Sequence, residues 1–350
     1  MDYNKFTLSL FKNTTQSYKY LWGLALLELA NDNSITSSTI RLEDVLAYAS
    51  VYASNLVTKH KIRLSCNSDS VFEKNILENH SKTKDYRNKF IQIYSLESRE
   101  LIKKDFLKYV PYRFQSGFFN IKGSDSQKQK YYVDCIDSSN KKYSDILMYQ
   151  IDNDSDCLIL SSHWHDYLRK NYMLLKAYIT QEFAKYLARY NVDVPNLMLK
   201  VDPVADRNRE NLSKQRIIWN DFIKDNLNIR NIYDDTILTS LDRSIDLDHY
   251  VPWNYVAHNM IWNLTPIKSG LNSQKSDKIL VDNRYLDKLA NQQYQLYDWI
   301  KSNNKKKMIE DYTIVSLNDM GKGGFISTYK DMIGSLCQSA IRQGFNQWNI

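Results

Sequence analysis

No two cysteines of this chain stand close together. Cys66, Cys135, Cys157 and Cys337 are widely spaced and form no C-x-x-C pair, which argues against a zinc finger or knuckle. Four scattered cysteines in 350 residues also make no disulfide framework, and free thiols point to a reducing compartment. Met1-Asp2-Tyr3-Asn4-Lys5 has neither the basic region nor the long apolar core of a signal peptide. The longest strongly apolar run, residues 21–27, is far too short for a membrane span. The expectation is a soluble, cytoplasmic protein with no membrane partner. A phosphate-binding loop is missing too: Gly321-Lys322-Gly323-Gly324 lacks the G-x-x-x-x-G-K-[ST] spacing and reads as a flexible loop. Neither an internal repeat nor a low-complexity linker interrupts the chain.

What is present is enough apolar sequence, 43%, for a substantial core, and a moderate net charge of +7. That charge permits a polyanionic partner without demanding one. It is concentrated in residues 82–122, with ten Lys or Arg against four Asp or Glu. Two readings stay open there, a solvated helix face and a surface for phosphate backbone.

Helical patterns dominate. Asn13-Thr14-Thr15 offers capping residues ahead of a nearly all-apolar helix over 13–30, and 39–58 carries a second helix. Helical signals continue through 70–108, until Val110-Pro111-Tyr112-Arg113-Phe114 is expected to break them. Between 120 and 160, Lys130-Tyr131-Tyr132-Val133 and the segment 146–151 look β-prone among loops, with room for a hairpin. His163-Trp164-His165-Asp166 resembles a ligand cluster, but without further Cys or His nearby a structural role is the better reading, with Asp166 as a helix cap. Leu168, Tyr172, Leu175, Ile179, Phe183 and Tyr186 then predict one long amphipathic helix over 164–190. Further helices are expected at 209–227, 283–303 and 327–344, with a solvated turn at Lys305-Lys306-Lys307.

The chemistry concentrates in residues 245–278. This stretch holds Asp248-His249, Asn263-Leu264-x-Pro266 and Asn272-x-x-Lys275-Ser276-Asp277. Hydrolysis of a phosphodiester needs a base for water, a cation against developing charge and a positioned phosphate. His249 is suited to be the base at neutral pH. Asp248, on the opposite side of the same strand, is a hard oxygen ligand for Mg2+, and the Asn272 amide oxygen can complete the pair. Lys275, near one helical turn later, can reach a phosphate. Asn263 is better placed to tie two loop backbones together than to touch substrate. His258 could help bind DNA or support the loop, and Trp253 and Trp262 are expected in the core of the motif.

The stretch resembles the HNH nuclease motif, also called the ββα-metal or His-Me finger. D-H-Y-V-P-W stands where the family has D-H-x-x-P, W-N-L-T-P covers its middle Asn, and N-S-Q-K-S-D its third position, with Asn272 in place of His. Spacing and ending are similar to the HNH domain of RNA-guided effector nucleases. The resemblance implies Asp248 and Asn272 as metal ligands, His249 as general base, Asn263 as the residue holding the loop that orients it, and Lys275 as a catalytic contact to phosphate. It implies Mg2+ or Mn2+ as cofactor and double-stranded DNA as substrate. The expected fold is mainly α with a small α+β module. Its regions are a helical scaffold over 1–235, the nuclease module over 236–282, and a C-terminal helical region over 283–350 packing on the scaffold. N-T-T-Q-S-Y-K-Y-L-W, V-P-Y-R-F, the segment 191–203 and Q-G-F-N-Q-W resemble bacterial HNH proteins of restriction and anti-phage defence. That wider resemblance implies an endonuclease acting in defence, as a homodimer or with a partner protein. The alternative is a sensor subunit whose nuclease stays silent until a partner gates it. With no zinc to staple the module, its flanking helices must support it.

Overall fold

The computed structural model describes every residue except 1–2, 4–6, 8–9, 12–13, 15, 33–37, 66–69, 75, 77–84, 203–209 and 227. Asn13, Thr15, Cys66, Lys82, Lys84 and Pro203 therefore lie outside the described residues. Two compact units emerge, Met1–Val192 with Val201–Pro203, and Asp193–Lys200 with Val204–Ile350. Among the described residues no helix is long and apolar enough to cross a membrane. The architecture is mainly α, with a three-stranded and a two-stranded sheet among the described residues.

The first unit contains, in chain order, α1 (Tyr18–Asn31), β1 (Thr39–Arg41), α2 (Leu42–His60), α3 (Val71–Lys74), α4 (Tyr86–Ile93), α5 (Leu96–Phe114), α6 (Asp125–Ile136), β2 (Tyr149–Asp152), β3 (Cys157–Leu160), α7 (Ser162–Lys170) and α8 (Tyr172–Ala188). Helix α1 has almost no polar face, so it must be surrounded. It packs against α2, α5 and α8. Gly23 permits the close approach of α5: a Cβ there would stand 3.3 Å from the Phe114 ring. The sheet runs β1-β3-β2, antiparallel throughout.

Several local expectations fail in this unit. The helix over residues 110–114 continues instead of breaking. Pro111 lies in the last turn of α5 and forfeits one backbone bond there, and burial of Val110, Pro111, Tyr112 and Phe114 holds the helix together past it. Residues 130–133 are helical, because Ser124 and Gln127 form a reciprocal capping box that starts α6. A hairpin does form, but from β2 and β3. The helix expected over 164–190 is two helices meeting at Asn171, and Asp166 lies inside α7 instead of capping it. The neighbouring His165 Nε2 lies 3.1 Å from the Ala30 carbonyl, a structural use. Much of the local positive charge is engaged: Arg87 pairs with Asp44, Lys103 with Asp156, and Lys89 lies over the Tyr86 ring.

The second unit carries α9 (Ser213–Asp225), β4 (Ile245–His249), α10 (Trp253–Val256), β5 (Leu264–Lys268), α11 (Ser269–Lys275), α12 (Asn283–Ser302), α13 (Lys306–Ile314) and α14 (Lys322–Arg342). Gly321 is the N-cap of α14 and Gly323 and Gly324 lie in its first turn, so this segment is helix, not a flexible loop. Strands β4 and β5 pair antiparallel, with Asp248 opposite Thr265 and His249 opposite Leu264, and α11 follows directly. A lone two-stranded hairpin is marginal in water. Here one apolar cluster joins it to α9, α12 and α14 through Trp219, Tyr250, Trp262, Leu289, Phe325 and Tyr329.

Buried polar side chains fix the loop between the strands. Gln293 donates to the Leu264 carbonyl at 2.7 Å and accepts from the Tyr312 hydroxyl at 2.7 Å. Tyr329 donates to the Trp262 carbonyl at 2.7 Å, and the Asp311 carboxylate accepts from the Ile261 N–H at 2.8 Å. Left unmade, each of these buried groups would cost about 1–3 kcal/mol, so the flanking helices specify the loop's path as well as cover it.

Candidate active site

Strand alternation places Asp246 and Asp248 on one face of β4. Helix α11, entered straight from β5, brings Asn272 back beside them: its Nδ2 donates to Asp246 Oδ2 at 3.0 Å. An open depression of about 210 Å³ is lined by Leu247, Asp248, His249, Pro252, Trp253, Asn254, Asn272, Ser276 and Asp277. Ser276 holds φ 49° at the end of α11, a left-handed geometry that a serine adopts at some cost. The turn it makes carries Asp277 to the rim.

Of the five residues singled out from sequence, three line this depression: Asp248, His249 and Asn272. Asn263 and Lys275 do not. Asn263 is fully buried, its Oδ1 accepting from the Val251 N–H at 2.9 Å and its Nδ2 donating to the Val251 carbonyl at 2.8 Å. Its own carbonyl accepts from the Tyr250 N–H at 2.9 Å. The segment after His249 is thus bolted to the second strand. Lys275 is also fully buried, and its Nζ donates to Asp248 Oδ1 at 3.0 Å and to the His249 carbonyl at 2.8 Å. Its charge lies against the Asp248 carboxylate, and Lys275 is not among the residues that line the depression.

Asp248 Oδ2 accepts from the Tyr233 hydroxyl at 2.7 Å. Burial pushes the Asp248 carboxyl above its ordinary value, while Lys275 and Tyr233 pull it back. Burial and the adjacent carboxylate hold the Tyr233 phenol far above its ordinary value, so it stays a donor. Each carboxylate oxygen has two lone pairs, and the two bonds leave one on each for a cation.

His249 Nε2 lies 3.0 Å from Asn259 Oδ1. The orientation of that amide is set elsewhere: Asn259 Nδ2 donates to the Glu210 carbonyl at 2.8 Å, an acceptor that cannot donate. Oδ1 therefore faces the imidazole, Nε2 carries the proton, and Nδ1 is the basic nitrogen. Gln215 holds the Asn259 backbone by donating to its carbonyl at 2.9 Å. His258 plays another part. Burial, with the Lys200 ammonium adding to it, pushes its imidazole down to about 4, its ring lies 5.0 Å from that of Trp262, and its Nδ1 accepts from the Met260 N–H at 3.3 Å. Trp262 is core as expected, whereas Trp253 stands at the depression.

Sequence reasoning missed Tyr233, Asp246 and Asn259. Asp246 was legible as the residue two before Asp248 on the same strand face. Tyr233 and Asn259 carry no local signal, because only the fold brings them to the site.

The donor set suits a hard divalent cation: the Asp248 carboxylate and the Asn272 amide oxygen, oriented by Asp246, with Asp277 at the rim. Among the described residues no three His, Cys, Asp or Glu side chains converge as a closed metal cage, and Mg2+ characteristically keeps several waters. Residues 230–280 match the family model described as HNH endonuclease. No curated protein and no solved structure matches the chain. The segment is an HNH module, the type that hydrolyses phosphodiester bonds in nucleic acid.

Proposed function

We propose that the protein is a divalent-metal-dependent endonuclease that cleaves double-stranded DNA with Mg2+ or Mn2+. The carrying observation is the pairing of His249, held by Asn259 in the tautomer with a basic Nδ1, with the Asp248 and Asn272 oxygens across one depression. His249 Nδ1 takes the proton of the attacking water. Asn259 orients the ring, and Asn263 fixes the backbone that follows it. Asp248 and Asn272 would hold the cation, Asp246 turns the Asn272 amide so that its oxygen faces outward, and Lys275 with Tyr233 keeps the Asp248 carboxylate in place. When bound, the cation supplies positive charge against the developing phosphorane and the leaving 3′ oxygen.

One such site cuts one strand, so a double-strand break needs a homodimer, a partner protein or two successive nicks. A role in restriction or anti-phage defence rests on the similarity of the flanking segments to proteins of that kind. The test is plasmid cleavage with Mg2+, with EDTA and His249→Ala as controls. Equal nicking by the wild type and the alanine variant sinks the assignment.

A second reading is an effector subunit silent until a partner gates it. It is favoured by the Lys275 ammonium, which already neutralises the ligand carboxylate. A stoichiometric partner recovered from cells that switches on cleavage supports it, and full activity of the isolated chain excludes it.

A further inference from the structure

The first unit holds a second pocket, unrelated to the nuclease chemistry. It lies between the start of α1 and the last turns of α5, encloses about 260 Å³, and is lined by Thr14, Gln16, Tyr18, Lys19, Asp105, Tyr109, Val110 and Arg113. Two cations, Lys19 and Arg113, share its wall. Neither has a carboxylate partner among the described residues. Elsewhere in the same unit Arg87 is paired with Asp44 and Lys176 with Glu28. Asp105 on the rim is exposed and makes no ion pair with either.

Arg113 is held ready instead. Its Nε donates to Gln129 Oε1 at 3.0 Å, Gln129 Nε2 in turn donates to the Lys108 carbonyl at 3.0 Å, and the guanidinium lies 5.1 Å from the Tyr109 ring centre. That geometry fixes one edge of the fork and leaves the terminal nitrogens to bind. Burial pushes the Lys19 ammonium down to about 8, and the Arg113 charge pushes the same way. Two like charges in a half-enclosed pocket cost stability. A protein tolerates such an arrangement where a ligand supplies the opposite charge.

We propose that this pocket is an anion site that takes the phosphate group of a small phosphorylated molecule. Lys19 and Arg113 grip the phosphate oxygens, Thr14 and Gln16 add polar groups at the mouth, and Tyr18 and Tyr109 flank the rest of the ligand. A half-enclosed volume of about 260 Å³ suits a ligand of mononucleotide size or smaller and is poorly suited to a continuous polynucleotide. The site stands on the first unit alone and does not depend on the nuclease reading.

Calorimetry on the full chain tests it, with inorganic phosphate, AMP and a short oligothymidylate as separate titrants against the wild type, Lys19→Met and Arg113→Gln. Phosphate and AMP are expected to bind the wild type. Each substitution should weaken them roughly tenfold or more, the scale of a lost hydrogen bond to a charged group. Binding should take up protons near pH 8, because the anion raises the Lys19 pKa. Lys19→Met should also melt higher than the wild type, which separates lost binding from misfolding. Absence of binding by phosphate and AMP to the wild type overturns the proposal, as does unchanged affinity in both variants. Tighter, Lys19-dependent binding of the oligothymidylate overturns the small-molecule assignment and makes the pocket a polynucleotide contact.

Discussion

The two depressions are close in size, about 210 and 260 Å³, yet they handle charge in opposite ways. In the second unit every key group is answered: Asp248 by Lys275 and Tyr233, Asn272 by Asp246, His249 by Asn259. In the first unit Lys19 and Arg113 line one pocket, and neither pairs with Asp105, the carboxylate that shares its lining. A reacting centre must hold its groups at fixed geometry before substrate arrives, so neighbours complete the pairing. A ligand-binding pocket can leave its charges unanswered until the ligand completes them. Removing a cation should therefore destabilise the first kind of site and stabilise the second.

The largest effect belongs to His249, the proposed base. His249→Ala should slow Mg2+-dependent plasmid cleavage by roughly 10²–10⁴-fold, the usual worth of a general base, with little change in melting temperature. Next comes the contrast of lysines. Lys275→Met leaves the buried Asp248 without its cation and should cost about 3–5 kcal/mol in urea unfolding. Combining it with Asp248→Asn should recover most of that loss, since both charges are then gone. Were Lys275 a surface phosphate contact, the single substitution would lower activity and leave unfolding unchanged. Lys19→Met should do the opposite to stability. Its pKa of about 8 lies below the ordinary 10.5, so the unfolded chain binds more protons between those values and wild-type stability rises with pH across that window. The gain from Met is thus largest at neutral pH and fades toward pH 10.5.

Asn259→Ala should lower kcat about tenfold while sparing the fold, by analogy with the 10–100-fold typical of residues that orient a catalytic or ligating His. The kcat–pH profile should shift as the imidazole loses its fixed tautomer, and Asn259→Gln should restore neither, because its longer amide misplaces the acceptor. The smallest effect concerns His258. With its pKa at about 4, below the ordinary 6.5, the unfolded chain binds the extra proton, so stability declines as pH falls from about 6.5 to about 4. In His258→Phe that part of the slope should vanish in melts recorded across the range.

How much of this was legible in the chain depends on distance along it. The ββα order was readable because its signals are local: β4 alternates Ile245 and Leu247 with Asp246 and Asp248, β5 is a short strand, and α11 follows without a loop. Asp248, His249 and Asn272 could be named for the same reason. The break at Asn171, the survival of α5 through Pro111 and the helix over 130–133 were misread. Burial carried α5 through Pro111 and a capping box started α6, each overriding the local propensity.

By itself, the sequence determined which groups could do chemistry: a base, hard oxygen ligands and a buried-type Asn at set spacings, with no cysteine staple. Only the tertiary structure decided what those groups face. It turned the Lys275 charge inward onto Asp248, brought Tyr233 and Asn259 in to fix a carboxylate and a tautomer, and set Lys19 against Arg113, 94 positions later in the chain. The physical reason is that a side chain's type comes from one position, whereas its direction, desolvation and partner come from elements that only folding brings within a few ångströms.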